Sequence, residues 1–167
     1  MGAPERDREL AEAVRLREQG SAEEARRILL RLAERLPDDV EIAYQTAWVH
    51  DVLGLEAEAV AHYERALAGD GLPDSDRCDA LLGLGSTYRV LGRYEDAERT
   101  LRRGTEEFPA HGGLRAFLAM ALFNTGSHEE SVRLLLELLA ATSEDPSVRR
   151  FRRAIEAYAK DLTGTVP

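Results

Sequence analysis

The chain has 167 residues and a formal net charge of −9; 44% of its residues are hydrophobic and 32% are charged. This balance is typical of a folded globular protein and argues against intrinsic disorder. An acidic chain repels phosphate backbones, so we do not expect nucleic acid as its primary partner. Alanine, leucine, arginine and glutamate are abundant and favour helix, so we predict an all-α protein with almost no sheet.

Two features bear on where the protein resides. Its single cysteine, Cys78, cannot form an internal disulfide, which fits a reducing compartment. No apolar run approaches the roughly 18 residues that a membrane-spanning helix needs, and residues 1–7 are polar, unlike a signal peptide. We therefore predict a cytoplasmic protein that does not insert into a membrane.

Glycines recur at nearly regular intervals along the chain, at Gly20, Gly54, Gly92 and Gly126. Each follows one apolar-periodic segment and precedes another, as expected of a glycine that ends a helix in the left-handed region. Five residues after each glycine lies a small residue, as needed where two helices cross closely: Ala25, Ala59, Ala97 and Ser131. This period predicts four helical hairpins, over about residues 6–39, 40–73, 78–111 and 112–145.

Local signals mark the helix ends within these hairpins. Ser21 with Glu24, and Ser127 with Glu130, have the spacing of a capping box at the start of a second helix. Four extra residues, Asp74–Arg77, follow the second hairpin in a polar, turn-rich segment, so we expect them to lengthen a loop and leave the helices intact.

A ninth helix is predicted over residues 147–162, with Asp145 as its cap and Pro146 in its first position. We expect it to shield the apolar face of the last hairpin. A second interpretation is a basic docking helix for an acidic partner or a lipid surface, because four arginines lie on it. Its apolar stripe consists of Val148, Phe151, Ile155, Tyr158, Ala159 and Leu162.

The third hairpin carries the most complete pattern of the four: Leu81, Leu84, Gly85, Tyr88, Gly92, Tyr94, Ala97 and Pro109. This pattern resembles the tetratricopeptide repeat. The second hairpin has His50 where that family usually has tyrosine, and the fourth matches least, with Arg115 in a bulky position. The resemblance implies a right-handed α-α superhelix, or solenoid, of four hairpins and a C-terminal capping helix, forming a single domain over residues 1–167.

A narrower resemblance is to a bacterial family, the group 5 tetratricopeptide repeat domain. It depends on the segments Trp48–Gly54 and Gly85–Gly92, together with Phe108, Pro109 and Phe117–Ala119. We know of no established biochemical activity for this family, so the match bears on fold and location more than on function.

The tetratricopeptide family binds partners on a concave surface lined by the first helix of each repeat. The first repeat would contribute Asp7, Leu10, Val14, Arg17 and Glu18. Over the other repeats, the resemblance implies a partner-binding groove lined by Tyr44, Trp48, Asp51, Leu82, Ser86, Arg89, Met120 and Phe123. Five of these would form an apolar, partly aromatic strip: Tyr44, Trp48, Leu82, Met120 and Phe123. Tyrosine and tryptophan are typical interface anchors. The Lys/Asn/Arg clamp of the members that bind chaperone tails is absent from the corresponding positions.

Alternatives remain for several of these residues. Arg89 could hold a carboxylate of the partner and Asp51 a cation, or the two could form a structural ion pair. Trp48 and Phe123 could instead cover the core or the ninth helix.

Three functions are therefore considered. The first is a non-catalytic protein–protein interaction module that binds a peptide segment or partner protein in the groove, as a monomer or weak homodimer. The second is self-association through the apolar strip or the C-terminal helix. The third, an enzyme acting through His50, Asp51 and Arg89, is disfavoured because neighbouring helix positions point about 100° apart. We expect no catalytic residue, metal or cofactor, since no motif for one is present.

Overall fold

The computed structural model describes residues 3–165, and this range is helical without a β-strand, which confirms the predicted all-α fold. The helices of this range are α1 (Ala3–Glu18), α2 (Ala22–Arg35), α3 (Val40–Val52), α4 (Glu56–Ala68), α5 (Asp74–Val90), α6 (Tyr94–Glu107), α7 (Gly112–Asn124), α8 (His128–Thr142) and α9 (Pro146–Ala159). The chain divides into two compact units. Unit 1 (Met1–Gly92) contains α1 to α5, and unit 2 (Arg93–Pro167) contains α6 to α9.

The periodic glycines end their helices with the predicted left-handed backbone. The φ angle is 85° at Gly20, 71° at Gly54, 74° at Gly92 and 88° at Gly126. In such a turn the residue after the glycine donates its backbone N–H to a carbonyl of the helix that has just ended. The Leu55 N–H, for example, donates to a carbonyl of α3 over 2.9 Å. The chain therefore reverses within a few residues and the next helix begins.

The capping boxes predicted at Ser21 and Ser127 are wrong. Neither serine side chain makes a cap hydrogen bond. The backbone N–H groups of these residues instead close the preceding turn, because Ser21 donates to the Leu16 carbonyl at 2.8 Å and Ser127 to the Leu122 carbonyl at 2.9 Å. The geometry of the glycine turn thus decides the role of the serine that follows it.

The four extra residues Asp74–Arg77 form helix, not loop as expected. They make the first turn of α5, which has 17 residues compared with 13 in α3 and in α7. Pro73 precedes this turn with a ψ of 148°, and its carbonyl accepts the Arg77 N–H at 2.8 Å. Asp74 and Asp76 lie in the first turn, where the helix dipole favours carboxylates. The insertion therefore lengthens a helix by about one turn.

Unit 1 is built from helices that pack against their neighbours in the chain. In addition α3 contacts both α1 and α5, so the first helices of successive hairpins lie side by side. The small residues Ala25 and Ala59 are completely buried, as their predicted role at helix crossings requires. The large side chains around them include Leu29, Leu32 and Ile42, all buried.

Unit 2 packs in the same sequential manner, α6 on α7, α7 on α8 and α8 on α9. Ser131 is tolerated in a small, buried position because its hydroxyl donates to the Ala119 carbonyl at 2.6 Å. In the fourth hairpin Leu114 is fully buried against Gly104, whereas Arg115 reaches out to Glu137 at 3.3 Å. A neighbouring leucine thus takes the bulky place that Arg115 cannot fill.

Helix α9 starts as predicted. Asp145 accepts hydrogen bonds from the N–H groups of Ser147 and Val148 at 2.8 and 3.3 Å, and Pro146 occupies the first turn. The helix ends at Ala159, three residues earlier than the sequence pattern suggests. None of the helices described, α1 to α9, has the length and apolar character needed to cross a membrane.

The positive φ angles make a prediction for Gly54. We expect Gly54→Ala to lower the free energy of unfolding by about 1–2 kcal/mol, because a Cβ crowds the left-handed conformation. Gly54→Asn should cost less, since asparagine adopts this region more readily. Urea unfolding followed by circular dichroism measures both values, and equal losses for the two variants would contradict the explanation.

Candidate functional site

Unit 1 presents a surface on its side-by-side helices α1, α3 and α5, which we call the Trp48 face. It is defined by Arg17 on α1, Trp48 and Val52 on α3, and Leu82 and Val90 on α5. Trp48 is 37% exposed, Val52 and Val90 are exposed, and Leu82 is half-buried. The predicted site residue Ser86 is also half-buried, on α5.

Trp48 is held in place from within the protein. The Arg17 guanidinium lies over its ring, with Cζ 3.7 Å from the ring centroid. The Tyr44 ring is 5.7 Å away, centroid to centroid, and tilted by 39°. Tyr44 itself is only 2% exposed, so it packs against Trp48 from the protein interior and offers no surface to a ligand. A large aromatic side chain is thereby fixed and still partly open to solvent.

Arg17 is buried at the base of this face. It is 8% exposed, and its Nη1 donates to the side-chain carbonyl of Gln45. Burial lowers the pKa of this guanidinium. Arg17 was among the groove-lining positions implied by the repeat pattern, but nothing in the sequence indicated that it stacks on Trp48.

Asp51 and Arg89, both in the described part of the chain, do not form the ion pair considered for them. Asp51 accepts hydrogen bonds from the Tyr63 hydroxyl at 2.8 Å and the Thr87 hydroxyl at 3.0 Å. Burial raises the pKa of this carboxyl. Arg89 is half-buried, and its Nε is buried without a hydrogen-bond partner among the described residues. Neutral hydroxyl groups, rather than the arginine, satisfy the aspartate.

A shallow depression adjoins α1 in unit 1. Its volume is ≈ 480 Å³, and its lining includes Asp7, Leu10, Val14, Glu18 and Glu41. The first four of these are positions that the repeat pattern assigned to the groove. These residues of the first repeat therefore line a shallow depression, and their part in a binding groove stays a prediction.

His50 lies in the core, away from the Trp48 face. Its Nδ1 donates to the Thr46 carbonyl at 2.6 Å, which leaves Nε2 to accept from Arg26 Nε at 3.2 Å. Its ring stacks on His62, with centroids 5.2 Å apart. His50 and Asp51 thus make separate sets of contacts and do not form a catalytic arrangement with Arg89.

The remaining predicted site residues, Met120 and Phe123, lie three positions apart on α7 of unit 2, and both are exposed. The Phe123 ring is 4.8 Å from that of His128. Phe123 is 61% exposed, so within unit 2 it does not cover a core.

Helix α9 covers only part of its neighbour in unit 2. Ala159 is buried, but Phe151 and Tyr158 of the predicted apolar stripe are exposed, as are three residues of α8: Val132, Leu135 and Leu139. Arg149 pairs with Glu144 at 3.1 Å. Unit 2 therefore retains exposed apolar side chains on both of its last helices.

Comparison with protein families gives a match over residues 40–162 to the tetratricopeptide repeat model. The chain is a tetratricopeptide repeat protein. No curated protein matches it in sequence.

Solved structures give the same fold for this tetratricopeptide repeat protein. MamA from Desulfovibrio magneticus RS-1 is 20% identical, with a TM-score of 0.74 over 96% of this chain and 92% of that one. YrrB, described as having an unusual peptide-binding site, is 19% identical, with a TM-score of 0.72 over 93% of this chain and 78% of that one. At these identities the likeness establishes the fold.

His62 makes stability depend on pH. Burial, together with the charges of His50 and Arg65, lowers its pKa from 6.5 to about 4. The unfolded chain therefore binds a proton at this histidine near pH 6.5, whereas the folded protein binds it only near pH 4. The free energy of unfolding should fall as pH drops through this window, by about 1–2 kcal/mol after allowance for solvent screening.

Urea unfolding at several pH values tests this assignment. His62→Phe keeps a stacked ring and should remove that part of the pH dependence. His128→Gln, at an exposed position, is the matched control and should retain it. A His62→Phe protein with the pH profile of the wild type would show that His62 is not responsible.

Proposed function

We propose that this protein is a non-catalytic interaction module that binds a peptide segment of a partner protein on the Trp48 face. Its family is typically non-catalytic, and YrrB, which has the same fold, is described as binding a peptide. The observation that carries the proposal is Trp48, the only tryptophan of the chain, fixed between Arg17 and Tyr44 and 37% exposed.

A fixed, exposed tryptophan favours binding for two reasons. Its side chain loses little conformational freedom when a ligand covers it, because the Arg17 and Tyr44 contacts already order it. Covering about 80 Å² of its ring would contribute about 2 kcal/mol at about 25 cal/mol per Å². This is the size of effect expected of an interface hot spot.

The neighbouring groups suit a peptide rather than a small molecule. Val52 and Val90 add exposed apolar surface on α3 and α5, while the depression beside α1 is open and shallow. Three helices lying side by side offer a long surface, along which an extended or helical segment can make several contacts.

Selection of peptides from a displayed library on the wild-type protein tests the proposal. We expect Trp48→Ala to weaken the binding of the selected peptides by about tenfold or more, as measured by fluorescence anisotropy of a labelled peptide. Tyr158→Ala removes an aromatic ring that is 70% exposed on α9 and is the matched control. Circular dichroism of each variant establishes that it is folded. Peptides that bind Trp48→Ala as tightly as wild type would rule out the Trp48 face.

Self-association is the second candidate, favoured by the exposed apolar residues of α8 and α9. If a second copy covers Phe151 and Tyr158, light scattering should show a mass that rises with concentration in the micromolar range. Substituting both residues by serine should then leave a monomer, whereas Trp48→Ala should have no effect. A wild-type protein that stays monomeric at high micromolar concentration would exclude this candidate.

A further inference from the structure

Arg17 is a buried cation without a counter-ion. The other arginine of the α1–α3 contact, Arg6, pairs with Asp39 at 2.8 Å and Glu41 at 2.7 Å. Arg17 has its hydrogen bond to Gln45 and its stacking on Trp48, but no carboxylate of residues 3–165 forms an ion pair with it. Buried charges are almost always paired, because an uncompensated charge is costly to remove from water.

The unused donors of Arg17 are accessible. Arg89 has an Nε that is buried without a partner, whereas no nitrogen of Arg17 is in this condition. One Arg17 nitrogen donates to Gln45, and none of its other nitrogens is both buried and unbonded. These N–H groups therefore keep some contact with solvent beside the Trp48 ring, although the residue as a whole is 8% exposed. A ligand that covers Trp48 can therefore reach them.

We propose that Arg17 is a carboxylate-binding residue of the Trp48 face. An aspartate or glutamate side chain of the bound peptide accepts hydrogen bonds from the free N–H groups of Arg17, and a neighbouring apolar residue packs on Trp48. A planar guanidinium suits this role because it can bind a carboxylate through two parallel hydrogen bonds. This inference rests on the proposed function and defines the chemistry of the partner.

The surroundings restrict the peptide further. Glu18 adjoins Arg17 and is exposed, and the charges of Asp76 and Asp79 act on the nearby Tyr44 hydroxyl. Glu41 is neutralised by Arg6. The carboxylates of Glu18, Asp76 and Asp79 would repel a continuous run of acidic residues. The recognised segment therefore carries one carboxylate flanked by neutral or basic residues.

The peptides selected on the wild-type protein provide the test. They should share one acidic position, and replacing Glu by Gln there should weaken binding to the wild type by about tenfold or more. Binding to Arg17→Met should be equally weak for the Glu and Gln peptides, because the group that distinguishes them is gone. Arg17→Lys should restore part of the preference. Arg150→Met, which changes an exposed arginine of α9, is the control and should retain all of it, while Arg89→Met tests the other arginine of the predicted groove.

The results separate the two proposals. Binding that requires Trp48 but treats the Glu and Gln peptides alike overturns the role of Arg17 and leaves the peptide-binding function intact. Loss of the preference in Arg89→Met but not in Arg17→Met assigns the carboxylate to Arg89 and also overturns it. Binding indifferent to Trp48→Ala removes the proposed function itself.

A second measurement needs no peptide. Because Trp48 is the only tryptophan, its fluorescence reports directly on the Arg17 site. Titration with sodium acetate, against sodium chloride at equal ionic strength, should give a saturable change in the wild type and in Arg150→Met, and none in Arg17→Met. Wild-type protein with identical responses to acetate and chloride would overturn the inference, even if Arg17→Met does not fold.

Discussion

Each hairpin depends on a chain reversal that a residue with positive φ makes possible. At Gly20, Gly54 and Gly126 the missing Cβ permits the left-handed conformation, and the N–H of the next residue donates to a carbonyl of the helix just completed. Within the units the reversal is short, and α1 packs on α2, α3 on α4 and α7 on α8. This close packing explains why the crossing positions hold alanine, or in one case a serine whose hydroxyl donates to a backbone carbonyl.

Within unit 1 this packing produces the surface on which the functional proposal rests. Because α3 contacts both α1 and α5, three separate segments of the chain lie side by side at this face. The contact between Arg17 and Trp48 joins α1 to α3, and the bonds from Tyr63 and Thr87 to Asp51 join α3 to α4 and α5. These contacts hold the three helices together, while Trp48 stays partly exposed and Val52 and Val90 are exposed to solvent.

Arg17 and Arg89 illustrate how similar residues acquire different roles. Arg17 is stacked on Trp48 and hydrogen-bonded to Gln45, so it is ordered before a ligand arrives. Arg89 has one donor buried without a partner. An ordered guanidinium loses less conformational entropy on binding, which favours Arg17 as the recognition group.

The sequence by itself determined the fold class, the helix-ending glycines, the buried small residues and the cap of α9, because each depends on interactions within a few residues or on a period. It also indicated Trp48 as an interface residue. It could not determine that Tyr44 is buried, that Asp51 is satisfied by Tyr63 and Thr87, or that Arg17 lies on Trp48. The partners of Asp51 and Arg17 are 12 to 36 positions away and meet only through helix packing. The helical insertion in α5 and the inactive serine caps were decided by the geometry of Pro73 and of the glycine turns, which residue spacing does not reveal.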